Sequence, residues 1–217
     1  MIVSDHQPML FGHTGAWSKV GIADEHIVSF DCIYREEERL ASGLLLGQKI
    51  QMPLRKAPLI AGVVPHYDRA WKAVRGLEYF LANKKAVHRE KVQPVVEILR
   101  TAIAEEWSYM EIWLAVFYHL RQYLPRAPTL HVVTEPAPKG TPFSTNWGFV
   151  ERLVPKAKIY VCGPYVEEYK RPDEQCPIPI LIHRMNNPNP RSFLEVLACE
   201  DDPMAFLMDF TLTPIGA

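Results

Sequence analysis

The sequence predicts an α/β fold in which a mostly parallel sheet is flanked by helices and carries an inserted helical segment. A strand–helix–strand pattern opens the chain, and short β-rich runs return after residue 129. Between them, at about residues 67–124, apolar residues recur at helical spacing instead. Because 48% of the 217 residues are hydrophobic, we expect one Rossmann-like domain with a sizeable core over residues 1–217.

The opening pattern consists of an apolar strand at residues 1–5, a helix at 12–23 with Thr14 as its N-cap, and a β-rich strand at 27–30. Two strands joined by a helix pair in parallel through a right-handed crossover. Residues 48–54 alternate apolar and polar side chains and predict a third strand. Pro53 places that strand at a sheet edge, because proline cannot donate to a ladder.

Further elements follow the helical insertion. They are strands at 130–133, 159–162 and 178–182 and helices at 146–153, 193–197 and 204–208. Asp202 and Pro203 predict the start of the last helix, since aspartate is a good N-cap and proline is favoured in the first turn.

Composition and motifs argue against several classes of protein. No apolar run approaches the ~20 residues of a membrane helix, and the first residues lack the features of a signal peptide. We therefore expect a cytoplasmic protein with no membrane partner. The formal net charge is −1, so any nucleic acid would be held by a local basic patch and not by the overall charge.

Metal and cofactor motifs are also missing from the sequence. The four cysteines have no CxxC spacing and the eight histidines no HxH or HxxxH spacing, which disfavours a metal site. In a reducing compartment the cysteines are expected to be free thiols. The sequence also lacks GxGxxG, GxSxG and the phosphate-binding GxxxxGK motif, so we expect no cofactor.

Polar residues gather where the first two strands end. Asp5, His6 and Gln7 close the first strand, and Asp31 follows the second. Ligands of open α/β sheets bind beyond the carboxyl ends of the strands, and this set could supply a base and hydrogen-bond donors there. Alternatively, His6 only caps a turn and Asp31 only caps a helix, which are common structural roles for these residues.

Two weaker features accompany this set. Gly163 follows a predicted strand and precedes Pro164, which would let backbone N–H groups face a phosphate, although such a pair is more often a simple turn. Arg69, Lys72 and Arg75 lie three residues apart and share a helix face that could contact an anion. A solvated helix surface is the alternative for these three.

Several segments resemble the WbqC-like protein family. The opening match comprises His6-Gln7-Pro8, Gly15, Lys19, Ala23-Asp24 and a segment from Asp31 to Tyr34. Residues 157–169 (AKIYVCGPYVEEY) are similar to the family's strand, its Ser-Gly-Pro turn and the tyrosine that follows. Asn186-Asn187-Pro188 resembles the family's Asn-His-Pro, and residues 192–207 resemble its closing helix. The chain departs from the pattern at residues 35–39 (REEER), at Cys162 in place of serine and at Asn187 in place of histidine.

The resemblance implies a transferase. Such proteins are associated with sugar modification in O-antigen synthesis and with bacteriophage systems that hypermodify thymidine in DNA. The leading hypothesis is the second: an amino acid, with glycine as a candidate, or an amine displaces pyrophosphate from activated 5-hydroxymethyluracil in DNA. The alternatives are a transferase that acts on a nucleotide sugar and a binding protein without enzymatic activity.

The leading hypothesis gives each candidate residue a role. His6 would be the general base, oriented by Asp31 or Asp5. The expected pyrophosphate contacts are Lys19, Arg35, Arg39 and Gly163. The aromatic residues expected to stack on a flipped base are Trp17, Tyr34 and Tyr165. Further expected substrate contacts are Gln7, Tyr169 and Asn187.

Overall fold

The elements of the computed structural model alternate strands with helices. The structure describes residues 1–31, 40–135, 147–164, 178–187 and 191–215, with residues 147–149 as backbone. The strands are β1 (Ile2–His6), β2 (Glu25–Ser29), β3 (Ser42–Leu45), β4 (Gln48–Gln51), β5 (Leu54–Arg55), β6 (Val64–Pro65), β7 (Thr129–Val133), β8 (Ile159–Cys162), β9 (Ile180–Met185) and β10 (Phe210–Pro214). The helices are α1 (Thr14–Gly21), α2 (Tyr67–Leu81), α3 (Gln93–Ala104), α4 (Tyr109–Leu120), α5 (Trp147–Leu153), α6 (Phe193–Cys199) and α7 (Pro203–Leu207), with 3₁₀ turns at Ile60–Gly62, Arg89–Lys91 and Arg121–Tyr123.

Six of the described strands form a central sheet in the order β10-β9-β8-β1-β2-β7. All neighbours are parallel except β10, which runs antiparallel to β9 at one edge. The chain builds outward from β1 through β2 to β7 and then returns to build outward on the other side of β1. This is the doubly wound order of nucleotide-binding folds, with the topological switch point between β1 and β8. The predicted fold class is confirmed.

The two faces of the sheet differ in what covers them. Successive side chains of a strand point to opposite faces. On one side, Val3 packs with Ile27 and Tyr160. Val150 of α5 and Val154, just beyond α5, cover them, and this side is called the α5 face. On the other side, called the α1 face, helix α1 contacts β1 and β9 and joins the larger core that includes α6 and the insertion.

The insertion between β2 and β7 begins with two hairpins before its three helices. The predicted strand at 48–54 is divided: its first part is β4, its last residue begins β5, and the two belong to separate two-stranded sheets instead of the central sheet. A hydrogen-bonded contact fastens the insertion to the main sheet: the Tyr109 hydroxyl donates to the Pro8 carbonyl (3.0 Å) and the Leu40 carbonyl (2.6 Å). The insertion thus lies against the edge where β1 ends.

The predicted N-cap residue is correct for helix α7, near the end of the chain, and wrong for helix α1, near its beginning. Asp202 caps α7 by accepting from the Met204 N–H at 3.0 Å, with Pro203 in the first turn as predicted. In α1 the cap is His13, whose Nδ1 accepts from the Ala16 N–H at 3.3 Å, and not Thr14. Thr14 is already the first helical residue. No helix among the described residues is long and apolar enough to cross a membrane.

Gly15 allows α1 to approach β9 closely, and a Gly15→Ala substitution tests this contact. The added Cβ would lie 2.9 Å from Met185 Cγ and 3.0 Å from His13 Nδ1. We expect overpacking to outweigh the better helix propensity of alanine and to lower the free energy of unfolding by about 1–3 kcal/mol. Chemical denaturation measures this, with Gly62→Ala as the control because its Cβ would have its nearest neighbour at 3.4 Å. An unchanged or raised stability of Gly15→Ala would contradict the close contact.

Candidate functional site

His6 ends β1 beside the topological switch point. Its Nδ1 lies 2.6 Å from the Gln7 carbonyl oxygen. A carbonyl oxygen only accepts, so Nδ1 carries the proton and Nε2 has a free lone pair. Within the described part of the chain, Nε2 makes no hydrogen bond. The Gln7 backbone therefore fixes the tautomer that a general base requires.

The surroundings of His6 keep its imidazole neutral. The ring is half-exposed at the mouth of the site, but many protein atoms surround it. Burial and, after it, the positive charge of Lys19 lower the pKa of His6 from 6.5 to about 3, against the opposing hydrogen bond to Gln7. At neutral pH the imidazole of His6 is therefore unprotonated.

Lys19 supplies an unpaired positive charge next to His6. Its side chain is only 5% exposed, yet it forms no hydrogen bond or ion pair with any described residue. Side chains on a helix lean toward its N-terminus, so Lys19 extends back toward the carboxyl edge of the sheet. A buried ammonium without a partner is costly, which makes this position favourable for an anionic ligand.

Histidines surround the Lys19 charge on the α1 face. That charge and burial together lower the pKa of His6, His13, His26 and His183. His26 Nδ1 pairs with Ser4 Oγ at 2.9 Å, while its buried Nε2 has no partner within the described residues. The site therefore contains two nitrogen groups, each more than nine-tenths buried, that lack a partner among the described residues, and the Lys19 ammonium is the one that favours an anion.

His183 belongs to the same group of histidines as His6, His13 and His26, and these four together are called the histidine layer. Its Nε2 lies 2.9 Å from Ser18 Oγ, and the Ser18 hydroxyl donates to the Leu207 carbonyl. The serine oxygen therefore accepts from the imidazole, which is neutral because burial lowers the pKa of His183 to about 4. His13, His26 and His183 are far apart in the sequence. The pairing of β1 with β2 places His26 beside Ser4, and the contact of α1 with β9 brings His183 to the helix that His13 caps.

Gly163 lies where β8 ends, across the switch point from His6. No described atom lies within 4 Å of the position that a Cβ would take there. The backbone at this point is open to a ligand, as the predicted phosphate contact requires. Gln7 and Asn187 are also exposed at the carboxyl edge, after β1 and β9.

Asp5 does not orient His6, contrary to the prediction. Adjacent residues of a strand point to opposite faces, so the Asp5 carboxylate lies on the α5 face. There its Oδ1 accepts a hydrogen bond of 2.6 Å from the Tyr160 hydroxyl. Burial and the Asp5 charge raise the pKa of Tyr160 well above its ordinary value. Asp5 therefore ties β1 to β8 beneath the site.

Asp31 does not orient His6 either. It is 8% exposed at the end of the β2 segment, and its Oδ1 is buried without a hydrogen-bond partner among the described residues. His6 makes no hydrogen bond or ion pair with it, although both lie in the described part of the chain. Burial raises the pKa of Asp31 to about 6, against an opposing hydrogen bond from its own backbone N–H. The Gln7 carbonyl takes the orienting role instead.

Trp17 is a core residue and not a stacking platform. Its ring is 4% exposed and lies 5.2 Å from the Phe193 ring and 6.0 Å from the Phe117 ring, centroid to centroid. Helix α1 is buried on every side, so its one tryptophan faces other aromatic rings and not solvent. The predicted contact of Trp17 with a flipped base is therefore wrong. The remaining predicted residues lie outside the described residues: Tyr34, Arg35, Arg39, Tyr165 and Tyr169.

Two of the four cysteines, Cys162 and Cys199, lie among the described residues and form no disulfide. Cys32 and Cys176 lie outside the described ranges. No three His, Cys, Asp or Glu side chains of the described residues are grouped so that they could hold a metal ion. The histidine layer is unsuited to a cation because Lys19 repels one.

The buried Asp31 carboxylate should destabilise the fold at neutral pH. Its pKa in the folded chain, about 6, lies above the ordinary 3.8, so stability falls as pH rises between these values. We expect Asp31→Asn to raise the free energy of unfolding on the order of 1–2 kcal/mol at pH 8 and to change it little at pH 4. Urea denaturation at both pH values measures this, with the exposed Asp209→Asn as control. An equal effect at both pH values would contradict the unpaired charge.

The fold and site define a doubly wound α/β protein that holds an unpaired lysine and a neutral base at its switch point. This combination suits group transfer to or from an anionic substrate. No protein-family model, curated protein or solved structure matches the chain. The resemblance to the WbqC-like family therefore stays a prediction.

Proposed function

We propose that this chain is a transferase that attaches an amino acid, with glycine as a candidate, or an amine to pyrophosphate-activated 5-hydroxymethyluracil in DNA. One observation carries the proposal. The buried ammonium of Lys19, which pairs with no described residue, lies close enough to His6 at the topological switch point to lower its pKa, and His6 Nε2 makes no hydrogen bond with the described residues. The Lys19 ammonium suits the stabilisation of a leaving pyrophosphate, and His6 Nε2 suits the acceptance of a proton from the attacking amine. The choice of DNA as acceptor rests on the sequence resemblance.

The reaction assigns one task to each group. The neutral amine nitrogen forms a C–N bond with the methylene carbon of the base while the C–O bond to pyrophosphate breaks. Pyrophosphate leaves with the electron pair of that bond, and the Lys19 ammonium stabilises its charge. Formation of the C–N bond places a positive charge on the amine nitrogen and makes its N–H acidic, and His6 Nε2 accepts that proton. Atoms and charges balance without a redox partner.

Substrate binding should strengthen the base. A pKa of about 3 makes the imidazole of the ligand-free protein a weak proton acceptor. The charge of Lys19 is one of the causes that lower this pKa, and a bound pyrophosphate would neutralise it. The imidazole then regains part of its basicity when the leaving group is in place, while burial, the larger cause, still lowers its pKa.

The test uses DNA that carries pyrophosphorylated 5-hydroxymethyluracil. The protein is incubated with this DNA and a mixture of amino acids and polyamines, and the digested nucleosides are weighed by mass spectrometry. We expect a new nucleoside heavier by one amino acid or amine, and none with unactivated 5-hydroxymethyluracil. Unchanged nucleosides from folded protein would reject the DNA acceptor.

A nucleotide sugar is the second candidate substrate, and the strand order favours it. Doubly wound sheets of this order bind nucleotides at the switch point. Its diphosphate would occupy the same position beside Lys19. Calorimetric titration with nucleotide sugars distinguishes the two candidates: micromolar binding together with no product on DNA would favour the sugar.

A further inference from the structure

A basic groove lies between helix α2 and the β5–β6 hairpin. It has a volume of about 570 Å³ and a floor that includes Pro53 and the buried Leu54. Its basic side chains are Lys56, His66, Arg69 and Lys72. No carboxylate of the described residues lines it. We call this surface, defined by these six residues, the basic groove.

Few of the basic side chains in the basic groove form an ion pair with a described residue. Lys56 and Lys72 are exposed and form no ion pair with described residues, and Arg69 pairs only with its neighbour Asp68, at 3.6 Å, where both side chains are mostly exposed. Three arginines elsewhere in the described chain pair with acids, namely Arg100, Arg126 and Arg191, whereas Arg89 and Arg121 donate to backbone carbonyls. With 24 basic and 25 acidic residues in all, an unmatched basic cluster is a local concentration of charge.

The cations occupy both walls of the basic groove. Arg69 and Lys72 are one helical turn apart, roughly 4.5 Å along the axis of α2, and Lys56 faces them from the segment after β5. A chain of phosphates laid along the groove would be contacted from both sides. A single small anion would leave part of this charge unused.

The hairpin that carries Lys56 is also connected to the candidate site. The Ala61 N–H donates to the Phe30 carbonyl at 2.8 Å, where the chain leaves β2 next to Asp31. The basic groove therefore lies on the insertion that packs against the carboxyl edge of the sheet. A polymer held there could present one of its units to that edge.

We propose that the basic groove binds the phosphate backbone of a DNA strand. The inference deepens the proposed function and rests on it only for the choice of DNA as the polymer. Three cationic side chains that each neutralise a phosphate would release counterions condensed on the DNA, which predicts a slope of about −2 to −3 for log K against log salt. Base identity should matter little, because phosphate contacts carry no sequence information.

The experiment measures binding of an unmodified fluorescent DNA oligonucleotide by anisotropy between 50 and 200 mM salt. The test variant is Lys56→Ala/Arg69→Ala/Lys72→Ala. Its matched control removes three exposed lysines elsewhere, Lys84→Ala/Lys85→Ala/Lys156→Ala, and so changes the net charge equally. We expect at least a ~100-fold loss of affinity and a salt slope flatter by about 2–3 in the test variant, and changes under about threefold in the control.

Several outcomes would overturn the inference. The first is that the wild-type protein does not bind DNA at 50 mM salt. The second is that both triple variants lose DNA affinity equally. The third is that the test variant loses as much affinity for inorganic pyrophosphate as it loses for DNA. The single variant Lys72→Glu, on an exposed position, should weaken binding without unfolding. DNA binding lost only in the groove variants, together with no product on activated DNA, would support the groove and reject the proposed transferase.

Discussion

Replacing His6 with alanine is expected to lower turnover by about 100-fold to 10,000-fold, the range that a general base contributes. The imidazole is half-exposed and makes a single hydrogen bond, to the adjacent Gln7 carbonyl, so the fold should survive its removal. Release of pyrophosphate from activated DNA under single-turnover conditions measures the loss. His88→Ala, at a partly exposed histidine on the far end of the insertion, is the matched control and should retain full rate.

A structural role of His6 would give a different result. Added imidazole should restore part of the rate of His6→Ala, because a free base can enter the space that the side chain leaves. A folded His6→Ala protein with unchanged turnover would remove His6 from the mechanism. A slow variant that imidazole does not rescue would mean that the ring only positions its neighbours.

Lys19→Met should weaken binding of inorganic pyrophosphate by about 100-fold, because the variant loses the buried ammonium at the site. The unfolding free energy should stay the same or rise, since an unpaired buried charge is replaced by an apolar chain of similar length. Isothermal titration calorimetry and urea denaturation measure the two quantities. The surface variant Lys85→Met serves as control for the general loss of one charge.

The same variant should change how His6 titrates. Without the Lys19 charge, the pKa of His6 should rise above about 3 but stay below 6.5, because burial is the larger cause of its lowering; NMR of the ring protons detects this rise. Protonation of a histidine with a lowered pKa favours the unfolded chain, so stability falls as pH drops below 6.5, and this loss should be smaller in Lys19→Met. Unchanged pyrophosphate binding together with an unchanged His6 pKa would exclude Lys19 from the site.

The central elements of the fold were predictable because burial leaves a periodic pattern. β1, β2 and β8 are short apolar runs, and the three helices of the insertion place buried residues at helical spacing. β10 was missed because only Phe210 of it is even partly buried and it ends in Pro214. Backbone pairing with β9 stabilises β10, and the local sequence does not reveal this long-range pairing. The hairpins before α2 depend on tertiary contacts in the same way.

The candidate site was predictable only in part. Placing His6, Lys19 and Gly163 at one edge follows from strand order and from the resemblance. The error with Asp5 came from treating neighbours in a strand as neighbours in space, although alternation separates them. The error with Trp17 came from assigning an aromatic residue to a ligand when a fully buried helix needs it for packing. The layer formed by His13, His26 and His183 requires knowledge of strand register.

The central position of β1 sets the order in which the chain can assemble during synthesis. Its first neighbour, β2, emerges from the ribosome soon afterwards, but Ile2 also pairs with Ile159 of β8. One edge of the innermost strand therefore stays open while the whole insertion is translated. Parallel pairing across so long a separation is intrinsically slow, and an open edge invites association with other chains. A nascent chain of this design benefits from an early half-sheet of β1, β2 and β7 that folds before β8 arrives.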